Sequence, residues 1–242
     1  MKRYNILDYG AIADGVTNNA AAIQQAIDEA SAEGGRVVIP QGKYLSGTLV
    51  LKSNIDFHLE KGAVLISSLN QEDIMDFAKL FEDDNACTGW DGGCFLFACH
   101  EENITISGEG VIYGQGDKVF IDDDVDGGAH ECPLSVTAFR PRTTFLEDVT
   151  NLTVRDITIQ DAAFWTLHMA GCHHVRVQDI KILNDVRGAN NDGIDPDCCK
   201  DVLITGCLVK TGDDAIVIKT TKPMTQRYGA SENIVISNCI LY

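Results

Sequence analysis

The chain has 242 residues, of which 45% are apolar and five are proline, a composition that argues against disorder and allows a large buried core. Its formal net charge of −17 argues against nucleic acid as a partner, because phosphate binding needs a basic surface. No apolar run approaches the length of a membrane span, and the basic start of the chain lacks the apolar core of a secretion signal. We therefore predict a cytoplasmic protein without a membrane partner, unless a signal has been removed.

One amphipathic helix is predicted near the start of the chain, at about residues 18–32. Thr17 or Asn18 is the expected N-cap, and Gly34 is expected to stop the helix. Its apolar stripe consists of residues at helical spacing: Ala22, Ile23, Ala26, Ile27 and Ala30. A single helix ahead of many strands suits a lid over the first coil of a repeat protein. Residues 1–52 are accordingly assigned to an N-terminal cap region.

A repeated pattern follows, in which a polar residue precedes alternating apolar and polar positions. The copies are NIDFHLEKGAVLI from Asn54, NITISGEGVI from Asn103, NLTVRDITI from Asn151, HVRVQDIKI from His174, DVLITGCLV from Asp201 and NIVISNCIL from Asn233. Alternation of this kind is typical of half-buried strands, and the last four copies start 23, 27 and 32 residues apart. A β-sandwich gives no reason for a motif to recur, and a leucine-rich repeat would need a leucine framework.

These features predict an all-β fold, a right-handed single-stranded parallel β-helix with a capping α-helix. Its coils are expected over residues 53–242. Because the repeat still runs at the last residue, we expect further C-terminal coils to be missing from this chain. Two polar segments, at about 71–93 and 121–133, are expected to be loops that border a binding groove. The nine cysteines are scattered, which favours reduced, structural thiols.

Two acid-bearing clusters lie one repeat apart and carry the functional signal. Aligning Asp192-Gly193-Ile194 with Asp214-Ala215-Ile216 gives a separation of 22 residues. If the coils stack, the two carboxylates lie on neighbouring strands, roughly 4.8 Å apart. Asp213 joins them only if the chain bends there, which Gly212 permits.

Carboxylates this close are expected to raise at least one pKa, which suits acid/base chemistry better than stability. One protonated acid can donate to a leaving oxygen while an ionised neighbour activates water, as in inverting glycosidases. That mechanism would place Asp213 roughly 6.5–9.5 Å from Asp192 or Asp214. Two alternatives stay open: the acids cap turns, or they collect a calcium ion. We expect neither a cofactor nor a metal ion.

The motifs NNDGID and TGDDAIVIK resemble those of the polygalacturonase family, glycoside hydrolase family 28. ILDYGAIADGVTNNAAAIQQAID resembles the family's N-terminal segment, and FWTLHMAGCHHVRVQDIKI its coil before the active site. The resemblance implies a β-helix that hydrolyses galacturonosyl linkages of pectin with inversion, with Asp213 as general acid and Asp192 and Asp214 holding the attacking water. Asn191 replaces the family's Thr, and the chain ends before the family's Gly-His-Gly and Arg-Ile-Lys motifs.

Three further residues are candidates for substrate binding: Asn190, His168 and Lys219. Lys219 could meet a uronate carboxylate, and so could Arg140 and Arg142, whereas His168 could equally pack beside Trp165. The expected partner is an acidic pectic polysaccharide or oligosaccharide. A β-helix lyase or epimerase and a non-catalytic carbohydrate-binding β-helix remain as alternative functions.

Overall fold

The computed structural model describes residues 1–76, 93–122 and 133–242, and it is a right-handed, single-stranded parallel β-helix, as predicted. Within these residues, two sheets have eight strands each and a third has five. Successive strands along the chain pass from sheet to sheet, so each sheet pairs strands of neighbouring coils in parallel. A small antiparallel pair, Phe120–Ile121 with Ser135–Val136, lies outside these sheets.

In spatial order, the first sheet contains Lys2–Asn5, Gly35–Ile39, Ile55–Leu59, Glu102–Gly108, Thr150–Arg155, His173–Gln178, Lys200–Thr205 and Glu232–Ser237. The second contains Asp14–Asn18, Gly42–Ser46, Ala63–Ser67, Val111–Tyr113, Thr158–Gln160, Lys181–Leu183, Leu208–Lys210 and Ile240–Leu241. The third contains Leu49–Val50, Cys94–Cys99, Arg142–Glu147, Leu167–Ala170 and Ile194–Asp197.

The polar residue that opens each repeat has a specific backbone role. All six have a positive φ of 55–63°: Asn54, Asn103, Asn151, His174, Asp201 and Asn233. Asn and Asp tolerate this left-handed conformation better than other non-glycine residues. Their side chains also bond from coil to coil, as Asn103 Nδ2 donates to Asn54 Oδ1 at 2.9 Å and Asn151 Nδ2 to Asn103 Oδ1 at 3.0 Å. We call these three residues the amide ladder.

The core consists of apolar residues stacked in columns through the coils. Ile104 pairs with Ile55 on one side and with Leu152 on the other, and all three are at most 2% exposed. Burying one such side chain stabilises the fold by about 1.5–3 kcal/mol. A column therefore links the stability of each coil to its neighbours.

Helix α1 spans Ala20–Glu33 and packs on the N-terminal coils, with its apolar stripe buried except for the partly buried Ala22. The predicted N-cap is wrong: Asn19 is the capping residue, and its side chain accepts a hydrogen bond from Ile12 N instead. Gly34 ends the helix with a φ of 73°, as predicted. Strands of all three sheets already occur before residue 53, so the assigned division at residue 52 does not mark the start of the sheets.

A second helix, α2 at Lys222–Tyr228, was not predicted; it lies between the second-sheet strand Leu208–Lys210 and the first-sheet strand Glu232–Ser237. Its Met224 and Tyr228 pack against the outer face of the third sheet. Its end is held by Arg227 Nη1 and Tyr228 Oη, which donate to Glu147 Oε1 at 3.0 and 2.7 Å. The described residues also contain three 3-10 turns, Ile6–Tyr9, Gln71–Asp73 and Gly116–Lys118.

The predicted loops fall largely on residues 77–92 and 123–132, which lie outside the described residues, as do Cys87, Cys132 and His130. The seven described cysteines are free, and Cys172 and Cys207 are buried beside the strands. In the described part of the chain, no helix has the length and apolar character to cross a bilayer.

Candidate active site

The two acid clusters meet at the start of the last third-sheet strand, Ile194–Asp197. One carboxylate oxygen from each of Asp192, Asp213 and Asp214 lies within 4.8 Å of the other two. The register is the predicted one, since Gly193 N donates to Asp214 O at 2.8 Å and Ile194 bridges to Ile216. Asp192 is 3% exposed, whereas the other two acids are exposed.

The turn that brings Asp213 to this cluster is held in place by residues of the preceding coil. Gly212 has no room for a side chain, because a Cβ there would lie 2.5 Å from the backbone of Gly188. Its N–H donates to Asn191 Oδ1 at 2.7 Å, and Asn191 Nδ2 donates to Asp185 O at 2.8 Å. Asn191 is therefore a buried residue that links the turn at Gly212 to the first acid motif.

The three acids approach one another most closely at single oxygens, which lie within 4.8 Å. The roughly 6.5–9.5 Å of an inverting mechanism refers to the separation of the two carboxyl groups and not to their nearest atoms. The wider spacing of Asp213 from Asp192 or Asp214 therefore stays a prediction. Adjacent coils stack Asp192 and Asp214 directly, and the bend at Gly212 turns Asp213 toward the same point.

Lys219 lies between two buried carboxylates. Its Nζ donates to Asp192 Oδ2 at 2.8 Å and lies 3.6 Å from Asp195 Oδ1. Burial raises the pKa of Asp192, the ion pair with Lys219 opposes that rise, and the charge of Asp213 adds to it. A raised pKa was predicted from like charges, but the larger cause is burial.

Of Asp192 and Asp195, Asp195 has the pKa that is raised further. It is fully buried, and neither carboxylate oxygen has a hydrogen-bond partner among the described residues. Burial raises its pKa well above the usual value, and the charge of Asp192 adds to that effect. Burial by itself would lower the pKa of Lys219, but the charges of Asp195 and Asp192 outweigh it and the pKa is raised.

His168 packs beside Trp165, which is one of the two alternatives that the sequence left open. It is 3% exposed and lies between Phe145, at 4.9 Å, and Trp165, at 4.8 Å between ring centroids. Its Nε2 lies 3.5 Å from Asp197 Oδ2, and burial lowers its pKa to about 4. The ring is therefore neutral near pH 7, and its burial favours packing over direct contact with substrate.

Cationic and aromatic side chains alternate beside the acids. The rings of Phe164 and Trp165 stack at 5.7 Å, and the Arg142 guanidinium lies 5.2 and 4.9 Å from their centroids. Lys219 Nζ lies 4.4 Å from the Trp165 centroid, and Arg140 lies 4.5 Å from that of Phe164. Such contacts hold cations in place without removing their charge. The structure thus gathers positive charge locally on a chain whose net charge is −17.

Asn190 lies at the edge of this group. It has a φ of 54°, is partly exposed, and its Oδ1 accepts from Arg140 Nη2 at 2.9 Å. Its contact with substrate stays a prediction, as does that of Lys219. Sequence reasoning missed Asp195 and Asp197 as members of the site. The last acid of NNDGID was the available signal for Asp195, but its burial beside Lys219 depends on side-chain packing between coils.

The chain is similar in sequence to known glycoside hydrolases. The sequence model of "Glycosyl hydrolases family 28" matches residues 34–241. A "Probable polygalacturonase" of Vitis vinifera is 30% identical over 226 residues, covering 89% of this chain and 44% of that protein. An "Exo-poly-alpha-D-galacturonosidase" of Dickeya chrysanthemi is 27% identical over 260 residues, covering 89% of this chain and 41% of that protein.

Among solved structures, a hyperthermoactive exopolygalacturonase from Thermotoga maritima superposes with a TM-score of 0.79. It is 25% identical, and the superposition covers 99% of this chain and 60% of that one. The chain spans less than half the length of the two curated relatives described here.

Proposed function

The chain belongs to glycosyl hydrolases family 28, and from that premise we propose that it hydrolyses galacturonosyl linkages of pectic polysaccharides or oligosaccharides. One observation carries the proposal: carboxylates from two successive coils converge within 4.8 Å beside a buried lysine. Neighbouring carboxylates repel one another and destabilise a partly buried site. Their presence here is therefore best explained by a reaction that needs several acids.

The proposed roles follow from exposure and hydrogen bonding. Asp213 is exposed and acts as the general acid, which protonates the leaving oxygen as the glycosidic C–O bond breaks. Asp192 Oδ1 has no hydrogen-bond partner among the described residues and accepts the proton of the attacking water. Asp214 holds that water from the other side. The oxygen of water ends on the anomeric carbon, and its proton on Asp192.

An acidic sugar is the proposed substrate because the cations lie where the acids are. A polyanion approaching a chain of net charge −17 is repelled unless positive charge is concentrated at the site. Arg140 and Lys219, held against Phe164 and Trp165, supply that concentration, and Arg142, which is 3% exposed, adds its charge from within the protein. Because Arg140 and Lys219 already interact within the protein, the sugar carboxylate would share these two cations with their present partners.

Release of reducing sugar from polygalacturonate, with and without a chelator, tests the function. Hydrolysis that survives the chelator supports the proposal. Loss of activity on chelation, together with an unsaturated product that absorbs ultraviolet light, would identify a lyase. Binding without cleavage would identify a carbohydrate-binding β-helix.

We also propose a cytoplasmic location, which the seven free cysteines of the described residues support, because cysteines that form no disulfide are typical of reducing compartments. Cell fractionation followed by immunodetection tests it. Recovery outside the cytoplasm would reject it.

A further inference from the structure

Binding of a sugar carboxylate does not by itself explain the position of Lys219, which is held inside the protein by two carboxylates and a ring. The backbone around it is fixed by the last turns of the third sheet, since its N–H donates to Pro196 O at 3.0 Å and its carbonyl accepts from Cys198 N at 3.0 Å. The side chain is then held on three sides, by Asp192, Asp195 and the ring of Trp165. Only 15% of it is exposed, so the ammonium group is directed into the protein.

The charges of this group do not balance if every member is ionised. Two buried carboxylates would face one ammonium group, which leaves one negative charge without compensation in a desolvated place. One of the two acids is therefore expected to be protonated, and the structure indicates which one. Asp192 has the direct bond to Nζ at 2.8 Å, whereas Asp195 lies 3.6 Å away and has no hydrogen bond among the described residues.

We propose that Lys219 is a positioning residue that keeps Asp192 ionised as the base, while Asp195 beside it is a neutral carboxylic acid. Lys219 acts through Asp192 and does not touch the reacting atoms. Its bond to Oδ2 leaves Oδ1 of Asp192 without a hydrogen-bond partner among the described residues, so Oδ1 can accept from the attacking water. The inference rests on the proposed function only in naming Asp192 as the group that activates water.

The neighbouring charges support this distribution. Asp213 and Asp214 approach Asp192 from the following turn, and the charge of Asp213 favours protonation of Asp192, so a cation is needed to oppose it. On the other side, Arg142 lies over Trp165, His168 is neutral, and Asp197 is bonded to Thr221 N and Oγ1 at 2.9 and 2.6 Å. Among these groups, Lys219 is the cation in direct contact with Asp192.

Carbon-13 NMR titration of the Asp192 carboxyl, assigned with Asp192→Asn, tests the inference without substrate. Replacing Lys219 by Met is expected to raise the Asp192 midpoint by about one pH unit or more, because the opposite charge is lost. Lys219→Arg is expected to restore most of the original midpoint. Lys210→Met is the matched control, since it removes an exposed lysine of the second sheet, and it should leave the midpoint unchanged.

Asp195→Asn tests the neutral acid separately. It should leave the Asp192 midpoint in place, whereas loss of an ionised Asp195 would lower it. An unshifted midpoint in Lys219→Met, or a lowered one in Asp195→Asn, overturns the inference. If Lys219→Met does not fold, as judged by its melting curve, Asp195→Asn and Lys219→Arg still decide.

The same variants connect the titration to catalysis. In Lys219→Met, the acidic limb of the kcat/KM profile should move to higher pH together with the NMR midpoint. A loss of kcat/KM at every pH, with no movement of that limb, would indicate a merely structural role for Lys219. Absence of hydrolysis in the unmodified chain would reject the proposed function and leave the titration result standing.

Discussion

The amide ladder on the first sheet and the acid cluster at the third sheet are produced by the same stacking of coils, yet their energetics are opposite. In the amide ladder, each Asn side chain donates to the one below it, as from Asn103 to Asn54. In the acid cluster, Asp192 and Asp214 are both acceptors and cannot bond to each other while ionised. Stacking therefore stabilises amides and destabilises carboxylates. The negative charge of the stacked carboxylates is offset in part by the positive charge of Lys219.

The largest expected difference between the two regions is in activity. Asp213→Asn should reduce hydrolysis by about 10²–10⁴-fold, because the general acid is lost. Stability should change little, since the exposed substitution also removes repulsion. Initial rates on polygalacturonate and a melting curve measure both effects.

Asp201→Asn is the matched control, the same chemical change at an exposed first-sheet position. Its activity should stay near that of the unmodified chain, since Asp201 is remote in the fold from the third-sheet acids. Equal losses in the two variants would remove the distinction between the regions.

A second prediction concerns how stability depends on pH. Because burial raises the pKa of Asp195, the folded state binds a proton that the unfolded state releases above pH of about 3.9. Stability is therefore lost as pH rises from that value toward the folded pKa, by at most about 1.4 kcal/mol per pH unit. Asp195→Asn should remove this slope, which denaturation at pH 5 and pH 8 measures. An unchanged slope would mean that Asp195 is ionised in the fold.

The smallest expected effect is in the amide ladder. Asn103→Asp replaces the donor to Asn54 by an acceptor, while Asp still tolerates the positive φ of this position. The free energy of unfolding should fall by about 1 kcal/mol, as measured by denaturant titration at pH 7. Lowering the pH until the new carboxyl is protonated should recover part of the loss, since the acid can then donate. A variant as stable as the original would show that the ladder bonds contribute nothing.

The strands that follow the amide ladder were predicted from the sequence, whereas the side-chain bonds of the ladder were not. Alternating apolar residues after Asn103 and Asn151 specify strands, and a polar residue at the same place in each repeat fits a left-handed turn. The 22-residue offset likewise gave the register of Asp192 and Asp214, because a one-residue slip would move the apolar set out of the core.

Other features depend on contacts that no local pattern records. The pairing of Lys219 with Asp192 joins residues 27 positions apart through a long side chain. Helix α2 is too short for an apolar period to be visible, and it is stabilised by Met224 and Tyr228 on the third sheet. Its insertion accounts for the longest repeat interval, the 32 residues from Asp201 to Asn233.

The central claim is that the stacked acids hydrolyse a glycosidic bond with an activated water molecule. A proton NMR time course on polygalacturonate tests it most directly, because one record reports cleavage, the type of product and its first-formed anomer. We expect a saturated product that appears first in the inverted anomeric form and then equilibrates. A product formed first with retained configuration, an unsaturated product, or no cleavage would contradict it.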